Sequence, residues 1–126
     1  MNFLIDTDVL IDISKGIKNA ADYIESLKGS VFISAITSME IVVGARNKEE
    51  IKEIEKFLLN FSQISLDEKI TRHAYELIRE HAQAHGLEIP DALIAATAKI
   101  NGLKLVTRNK RHYTPIRDLE VEEVAY

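Results

Sequence analysis

Three acidic residues, Asp6, Glu40 and Asp91, are the strongest candidates for chemistry in this sequence, because each of them borders an apolar segment. Asp6 directly follows the apolar run Phe3-Leu4-Ile5, which is typical of a short buried strand. Glu40 shares a predicted helix face with apolar residues at i−4 and i+3, and Asp91 begins a helical segment, 92–96, that has almost no polar face. A buried carboxylate needs a partner, a shifted pKa or a bound cation.

None of the three acids has a basic partner at helical spacing. Carboxylates gathered in a half-buried crevice repel one another unless a cation neutralises them, and Mg²⁺ and Mn²⁺ prefer oxygen ligands. We therefore predict that Asp6, Glu40 and Asp91 converge to bind Mg²⁺ or Mn²⁺. Each acid also fits an ordinary role when it is considered alone. Asp6 and Asp91 suit a helix N-terminus, and Glu40 suits a structural salt bridge.

The segment after the apolar run 103–106 supplies further polar candidates. The hydroxyl of Thr107 and the amide oxygen of Asn109 can orient a metal-bound water, although both residue types are also common in turns. The formal net charge is −4, which argues against a protein that binds nucleic acid through bulk positive charge. A nucleic-acid contact would depend on local basic residues, for which ordinary solvated charge is the alternative: Arg108, Lys110 and Arg111.

The length of 126 residues predicts a single domain over residues 1–126. The absence of cysteine excludes disulfides and thiolate zinc sites and favours a reducing compartment. The apolar start before Asp6 is too short for a signal peptide, and no other apolar run approaches membrane-spanning length. We expect a soluble, cytoplasmic protein.

Short apolar runs alternate with amphipathic patterns along the whole chain. The runs predict strands at 3–5, 31–33, 63–64, 103–106 and 119–124. The patterns predict helices at about 7–14, 19–27, 34–45, 47–60, 65–85 and 91–100, with predicted N-terminal caps at Thr7, Asn19, Ser34, Asn47 and Ser65. Gly86 and Pro90 are predicted to end one helix and open the next.

Strands that alternate with helices in this way predict an α/β fold, a central mostly parallel sheet covered by helices on both faces. In such folds the functional crevice lies at the carboxyl ends of the strands, which is where Asp6 and Thr107 are expected.

The motifs also resemble those of a known family, the PIN-domain ribonucleases, and specifically the VapC-type toxins of type II toxin–antitoxin systems. Four segments carry the resemblance in order, from residue 3 to about residue 124: Phe3-Leu4-Ile5-Asp6-Thr7-Asp8-Val9-Leu10, then Glu40 with Gly44, then Ile89-Pro90-Asp91-Ala92-Leu93-Ile94-Ala95-Ala96-Thr97-Ala98, and finally Leu105-Val106-Thr107-Arg108-Asn109 with His112-Tyr113.

This resemblance implies a three-layer α/β/α sandwich and an Mg²⁺- or Mn²⁺-dependent endoribonuclease. It further implies a homodimer and a cognate antitoxin that blocks the active site. By position, Asp6, Glu40 and Asp91 match the metal-binding acids, Asn109 matches the fourth site position, and Thr107 matches its supporting hydroxyl.

The sequence departs from the family pattern at a few positions. Asp8 stands where many members carry Asn, which adds negative charge. Asn109 stands where many PIN domains have an acid, and His112 lies nearby where others have Asp, which puts tight binding of a second metal ion in doubt. Tyr113 replaces the usual Phe, a change that is conservative by size.

Two other functions fit parts of the pattern. The Asp-x-Asp at Asp6 and Asp8 is also used by haloacid-dehalogenase-like phosphatases, although their cap and later motifs would strain a chain of this length. Because of Asn109, a catalytically inactive PIN-fold binding module is the non-enzymatic alternative.

Overall fold

The computed structural model describes every residue from Met1 to Tyr126. Its five strands are β1 (Phe3–Ile5), β2 (Val31–Ser34), β3 (Ser62–Ile64), β4 (Lys104–Thr107) and β5 (Val121–Glu123). Its seven helices are α1 (Thr7–Ser14), α2 (Lys18–Glu25), α3 (Ala35–Val43), α4 (Lys48–Leu58), α5 (Glu68–His85), α6 (Ile89–Ile100) and α7 (Lys110–Tyr113). None of these helices is both long and apolar enough to cross a membrane.

The strands form one sheet in the order β3-β2-β1-β4-β5, and every neighbouring pair is parallel. The prediction of a mostly parallel sheet is therefore confirmed, since no antiparallel pair occurs. The chain first adds strands on one side of β1 and later on the other side. The order of the strands therefore reverses beside β1, and ligands in open parallel sheets bind at such a reversal.

Helices cover both faces of the sheet, as the alternation of strands and helices predicted. Neighbouring side chains of β1 point to opposite faces, so Leu4 packs in one apolar core and Ile5 in the other. The first core joins the sheet to α5 and α6, and the second joins it to α1 and α2. Both residues are fully buried, which fixes where β1 ends and hence where Asp6 lies.

Several predicted helix starts were wrong. Asp6, not Thr7, is the N-cap of α1, and α2 begins at Lys18 after Ile17 rather than at Asn19. The N-cap of α5 is Asp67, whose side chain accepts a hydrogen bond from the backbone N–H of Ile70 at 2.9 Å. A carboxylate three residues before a free backbone N–H can accept its hydrogen bond directly. The prediction had instead paired Ser65, as the cap, with Glu68.

Other helix ends follow the prediction. Ser34 caps α3, and Asn47 caps α4 by accepting from the backbone N–H of Glu50 at 2.9 Å. Gly86 ends α5 with a φ of 67°, a left-handed conformation that glycine adopts without steric cost. The helix predicted at Pro90 begins one residue earlier, at Ile89. The short helix α7 was not predicted, and it carries Tyr113 toward the sheet.

Candidate metal centre

Asp6 lies at the carboxyl end of the central strand, where it caps α1. Its Oδ1 accepts a hydrogen bond from the backbone N–H of Thr7 at 2.8 Å, and only 5% of the residue is exposed. Because β1 is held on both sides by β2 and β4, this carboxylate has a fixed position at the middle of the sheet edge. The prediction that Asp6 follows a buried strand is confirmed.

Two hydroxyl groups from the C-terminal part of the chain hold the second oxygen of Asp6. Oδ2 accepts from the Thr107 hydroxyl at 2.7 Å and from the Tyr113 hydroxyl at 2.9 Å. The same Tyr113 hydroxyl lies 3.4 Å from Oδ1 of Asp91, near the start of α6. A single tyrosine therefore links two of the three predicted acids.

Glu40 joins this network from the other side, through Thr7. The Thr7 hydroxyl donates to Oε1 of Glu40 at 2.8 Å and also lies 2.9 Å from the buried Thr37 hydroxyl. Glu40 is half-buried on α3 and is close enough to Asp91 for its charge to raise the pKa of that residue. Asp6, Glu40 and Asp91, which are far apart in the sequence, thus lie in one polar neighbourhood.

The loop after β4 brings Asn109 close to Asp8 of α1, at the edge of the same neighbourhood. Oδ2 of Asp8 accepts from the backbone N–H of Arg108 at 3.1 Å and lies 3.5 Å from the Asn109 side-chain nitrogen. The Thr107 hydroxyl also accepts from the backbone N–H of Asn109 at 3.0 Å. The buried Thr107 hydroxyl therefore connects this loop to Asp6, because it accepts from Asn109 and donates to Asp6.

Burial, and to a smaller extent mutual repulsion, raises the pKa of three acids in this neighbourhood. Burial is the main cause that raises the pKa of Asp6, and the charge of Asp91 adds to it, whereas hydrogen bonds from the two hydroxyls oppose it. Burial, followed by repulsion from Asp6, raises the pKa of Asp8 to about 6. The pKa of Asp91 is also raised, chiefly by burial and then by Glu88 and Glu40, against the opposing charge of His112.

No lysine or arginine forms an ion pair with Asp6, Asp8, Glu40 or Asp91. The oxygen donors match the preference of Mg²⁺ and Mn²⁺, and a cation would offset both the burial of these carboxylates and their weaker mutual repulsion. No three acidic or histidine side chains are close enough to coordinate one ion directly. The residues therefore fit an ion that is held by one or two carboxylates together with water molecules, the mode that is usual for Mg²⁺.

The basic residues after β4 have different surroundings. The guanidinium of Arg108 donates to Oδ2 of the buried Asp12 at 3.0 Å, and the hydroxyl of Tyr126 reaches the same oxygen. Just over half of the Arg108 side chain is exposed. Lys110 and Arg111 are exposed on α7, the short helix that also carries Tyr113.

Comparison with known proteins decides the family. The model of the PIN domain matches residues 3–115, which is most of the chain. The chain belongs to the PIN-domain family. A ribonuclease of Mycobacterium tuberculosis named VapC10 is 32% identical to it over 120 residues, which cover 93% of this chain and 90% of the relative.

Solved structures of toxin–antitoxin complexes resemble this PIN domain over nearly its whole length. A toxin–antitoxin complex from Klebsiella pneumoniae has a chain that is 32% identical, with a TM-score of 0.79 and coverage of 97% of this chain and 99% of that chain. VapBC2 from Rickettsia felis, bound to a DNA fragment from its promoter, has a chain that is 27% identical, with a TM-score of 0.82 and coverage of 99% and 100%. Membership in this family leaves the phosphatase alternative without support.

Two residues of this PIN domain were not recognised as site residues from the sequence. Tyr113 was treated as a conservative replacement, but its hydroxyl contacts two of the predicted acids. Asp12 was not singled out from the sequence, although it is buried and accepts a hydrogen bond from Arg108. Asp12 lies one helical turn after Asp8, so this spacing was the one signal that could have placed it on the same face.

Proposed function

We propose that this PIN domain is a divalent-metal-dependent endoribonuclease and the toxin of a VapBC-type toxin–antitoxin pair. The observation that carries the proposal is the polar network of Asp6, Glu40 and Asp91, which has no lysine or arginine partner in a chain of this family. Its relatives that are named ribonucleases support RNA as the substrate. Mg²⁺ or Mn²⁺ is the expected ion because all the candidate ligands are oxygens.

Asp6, Glu40 and Asp91 are the residues that would hold the ion. A divalent ion bound there supplies a water of lowered pKa and positive charge opposite the phosphate. The chain's own contribution is orientation. The Thr107 and Tyr113 hydroxyls hold the carboxylate of Asp6, and the Thr7 hydroxyl holds that of Glu40. Asn109, at the edge of the network, can hydrogen-bond to a water beside the ion.

Contacts to RNA are assigned to the basic residues that follow β4. Lys110 and Arg111 are exposed on α7, and their charges are available to phosphate groups. Arg108 is a weaker candidate, because Asp12 already binds its guanidinium. The acids Asp6, Glu40 and Asp91 repel phosphate groups until a cation is bound, so the RNA backbone is expected to be attracted chiefly by these basic residues.

An antitoxin partner is expected to bind beside Glu40. A groove of about 620 Å³ opens there between α1, α3 and α4, and its floor includes Ile41, Ile54 and Phe57. Glu40 and Glu53 also line the groove, together with Lys15 and with Glu50, which pairs with Arg46. Apolar side chains beside Glu40 suit a protein segment that carries apolar side chains and one basic side chain, which would neutralise Glu40.

A homodimer is expected through a second surface, which we call the α3–α4 patch, formed by Met39, Val43 and Leu59 with their neighbours. These three side chains are 55%, 84% and 85% exposed, which is unusual for large apolar residues clustered on one face. Glu55 and Lys56 also line the patch. A two-fold contact could pair the Lys56 of each copy with the Glu55 of the other, as a self-complementary interface requires.

We also propose that residues 1–126 act as a single PIN domain in the cytoplasm. Strands from both ends of the chain join one sheet, which supports one folding unit. RNA as the proposed substrate supports the cytoplasm as the compartment.

The test is an RNA cleavage assay with purified protein in Mg²⁺ and in EDTA. We expect cleavage only with Mg²⁺, and we expect Asp6→Asn to lower the rate by about a hundredfold or more, because an amide is a poor ligand at the most buried of the three acids. Asp22→Asn is the matched control, since Asp22 is an exposed acid that pairs with Lys18. Cleavage by Asp6→Asn at the wild-type rate would refute the assignment. An inactive wild type would support the binding-module alternative.

A further inference from the structure

Tyr113 has a hydroxyl group in the middle of the acidic network, although its position requires only an apolar ring. The ring packs in the core formed with α5 and α6, and the residue is 1% exposed. The hydroxyl lies 2.9 Å from Oδ2 of Asp6 and 3.4 Å from Oδ1 of Asp91. Because the ring is fully packed, the hydroxyl cannot move out of the space between the two carboxylates without disturbing the core.

The hydrogen bonds of Asp6 leave little room for further ligands. A carboxylate has about four lone-pair sites, two on each oxygen. Oδ1 of Asp6 accepts from the Thr7 backbone N–H, and Oδ2 accepts from both the Thr107 and Tyr113 hydroxyls. Both sites of Oδ2 are therefore taken by the protein, and only Oδ1 retains a free site.

We propose that the Tyr113 hydroxyl occupies the space between Asp6 and Asp91 that a second divalent ion would need, and so limits this pair of carboxylates to one ion. The proposal rests on the proposed function, because it requires that the acids bind a metal ion at all. In sites with two metal ions about 3.5–4 Å apart, a carboxylate between the ions commonly uses both of its oxygens. Asp6 cannot do so here while Tyr113 and Thr107 both donate to Oδ2.

Tyr113→Phe is the informative variant because it removes the hydroxyl and keeps the ring. One lone-pair site on Oδ2 of Asp6 becomes free, and Oδ1 of Asp91 borders the vacated space. Two carboxylate oxygens that face a small polar space can bind an ion, which the hydroxyl prevents in the wild type. We therefore expect the variant to accept a second ion next to the first.

The matched control is Tyr126→Phe. Tyr126 also donates a phenolic hydrogen bond to a carboxylate, that of Asp12, but it does not contact Asp6 or Asp91. Its removal tests whether the loss of any tyrosine–aspartate hydrogen bond changes metal binding. We expect the control to bind Mn²⁺ as the wild type does.

The experiment is Mn²⁺ titration of the three metal-free proteins by calorimetry, with electron paramagnetic resonance of the loaded proteins. We expect one ion in the wild type and in Tyr126→Phe, and two in Tyr113→Phe with the spectrum of a spin-coupled Mn²⁺ pair. Circular dichroism establishes that each variant is folded.

Several results would overturn the inference. Binding of two ions by the wild type would overturn it, whatever the variants bind. Binding of one ion by a folded Tyr113→Phe, as in the wild type, would also overturn it, and that result would leave the proposed metal dependence intact. A folded Tyr113→Phe that binds none would show that the hydroxyl supports the first ion instead. Absence of Mn²⁺ binding in all three proteins would refute both the inference and the metal dependence.

Discussion

At the scale of single residues, the charge of Asp8 opposes folding in the absence of a metal ion. Burial and repulsion from Asp6 raise its pKa from 3.8 to about 6, so the folded protein binds a proton on Asp8 more tightly than the unfolded chain does. The contribution of Asp8 to stability is therefore most favourable below pH 3.8 and is lost as the pH rises through about 6. At neutral pH the ionised carboxylate is a cost that an amide would not have.

We therefore predict that Asp8→Asn stabilises the metal-free protein at pH 7.5. The gain in the free energy of unfolding should be about 1–2 kcal/mol, after allowance for the partial exposure of Asp8, and it should disappear near pH 4. Urea unfolding in EDTA at both pH values measures it, with Asp22→Asn as the control. An equal gain at both pH values would contradict the electrostatic explanation.

The sequence identified the acids at this scale but not the hydroxyls that hold them. Asp6, Glu40 and Asp91 were recognised because all three border apolar segments and none of them has a basic partner at helical spacing. Tyr113 gave no such signal, since a tyrosine fits a core position by size alone. Its partner Asp6 lies 107 residues earlier in the chain, and such a contact exists only after the sheet has formed.

At the scale of the elements, the N-terminal cap of a helix sets where that helix begins, and α5 shows how the sequence and the structure differ on this point. Asp67 caps α5 by accepting from the backbone N–H of Ile70, whereas the exposed Ser65, which was predicted to be the cap, makes no such bond. The local spacing of Ser65 and Glu68 was a plausible cap, and the structure uses the acid two residues later instead. The start of a helix such as α5 depends on the path of the chain after the preceding strand, which the local sequence does not encode.

This correction predicts different effects for two neighbouring substitutions. Asp67→Ala should lower the free energy of unfolding by about 1 kcal/mol, because it removes a capping hydrogen bond. Ser65→Ala is the control and should change it by less than about 0.5 kcal/mol, as expected for an exposed residue. Chemical unfolding of both variants measures the difference. A larger loss in the free energy of unfolding with Ser65→Ala than with Asp67→Ala would show that Ser65 is the cap, as the sequence predicted.

The parallel sheet was the element-scale feature that the sequence predicted best. Apolar runs such as Leu103-Lys104-Leu105-Val106 alternate with helical patterns, and only a sheet covered on both faces accommodates that alternation. The short helix α7 was not predicted, because four residues carry no helical period. It is nevertheless the element that places Tyr113 against the acids.

At the scale of the whole molecule, the α3–α4 patch bears on the proposed homodimer. Val43 is 84% exposed, so an acid at this position should have little effect on the folded monomer but should oppose burial of the patch between two copies. The sequence pattern of α3 did not distinguish Ile41, which is buried in the core, from Val43, which is exposed on the patch. Both residues are apolar, and only the packing of the folded chain distinguishes them.

We predict that the wild type has about twice the monomer mass of 14.2 kDa in solution and that Val43→Asp has the monomer mass. Light scattering coupled to size-exclusion chromatography measures both. Tyr75→Asp is the control, because Tyr75 is 67% exposed on α5, away from the patch, and should leave the dimer intact. A wild-type monomer, or a dimer that survives Val43→Asp, would contradict this interface.

The most direct test of the whole account is to locate a bound ion by anomalous diffraction from crystals grown with Mn²⁺. The account predicts a strong anomalous peak within coordination distance of the carboxylates of Asp6 or Asp91, on the side that faces Glu40, and its absence in Asp6→Asn crystals. A well-ordered wild-type structure with no peak at these residues, or with Mn²⁺ bound only elsewhere, would contradict it.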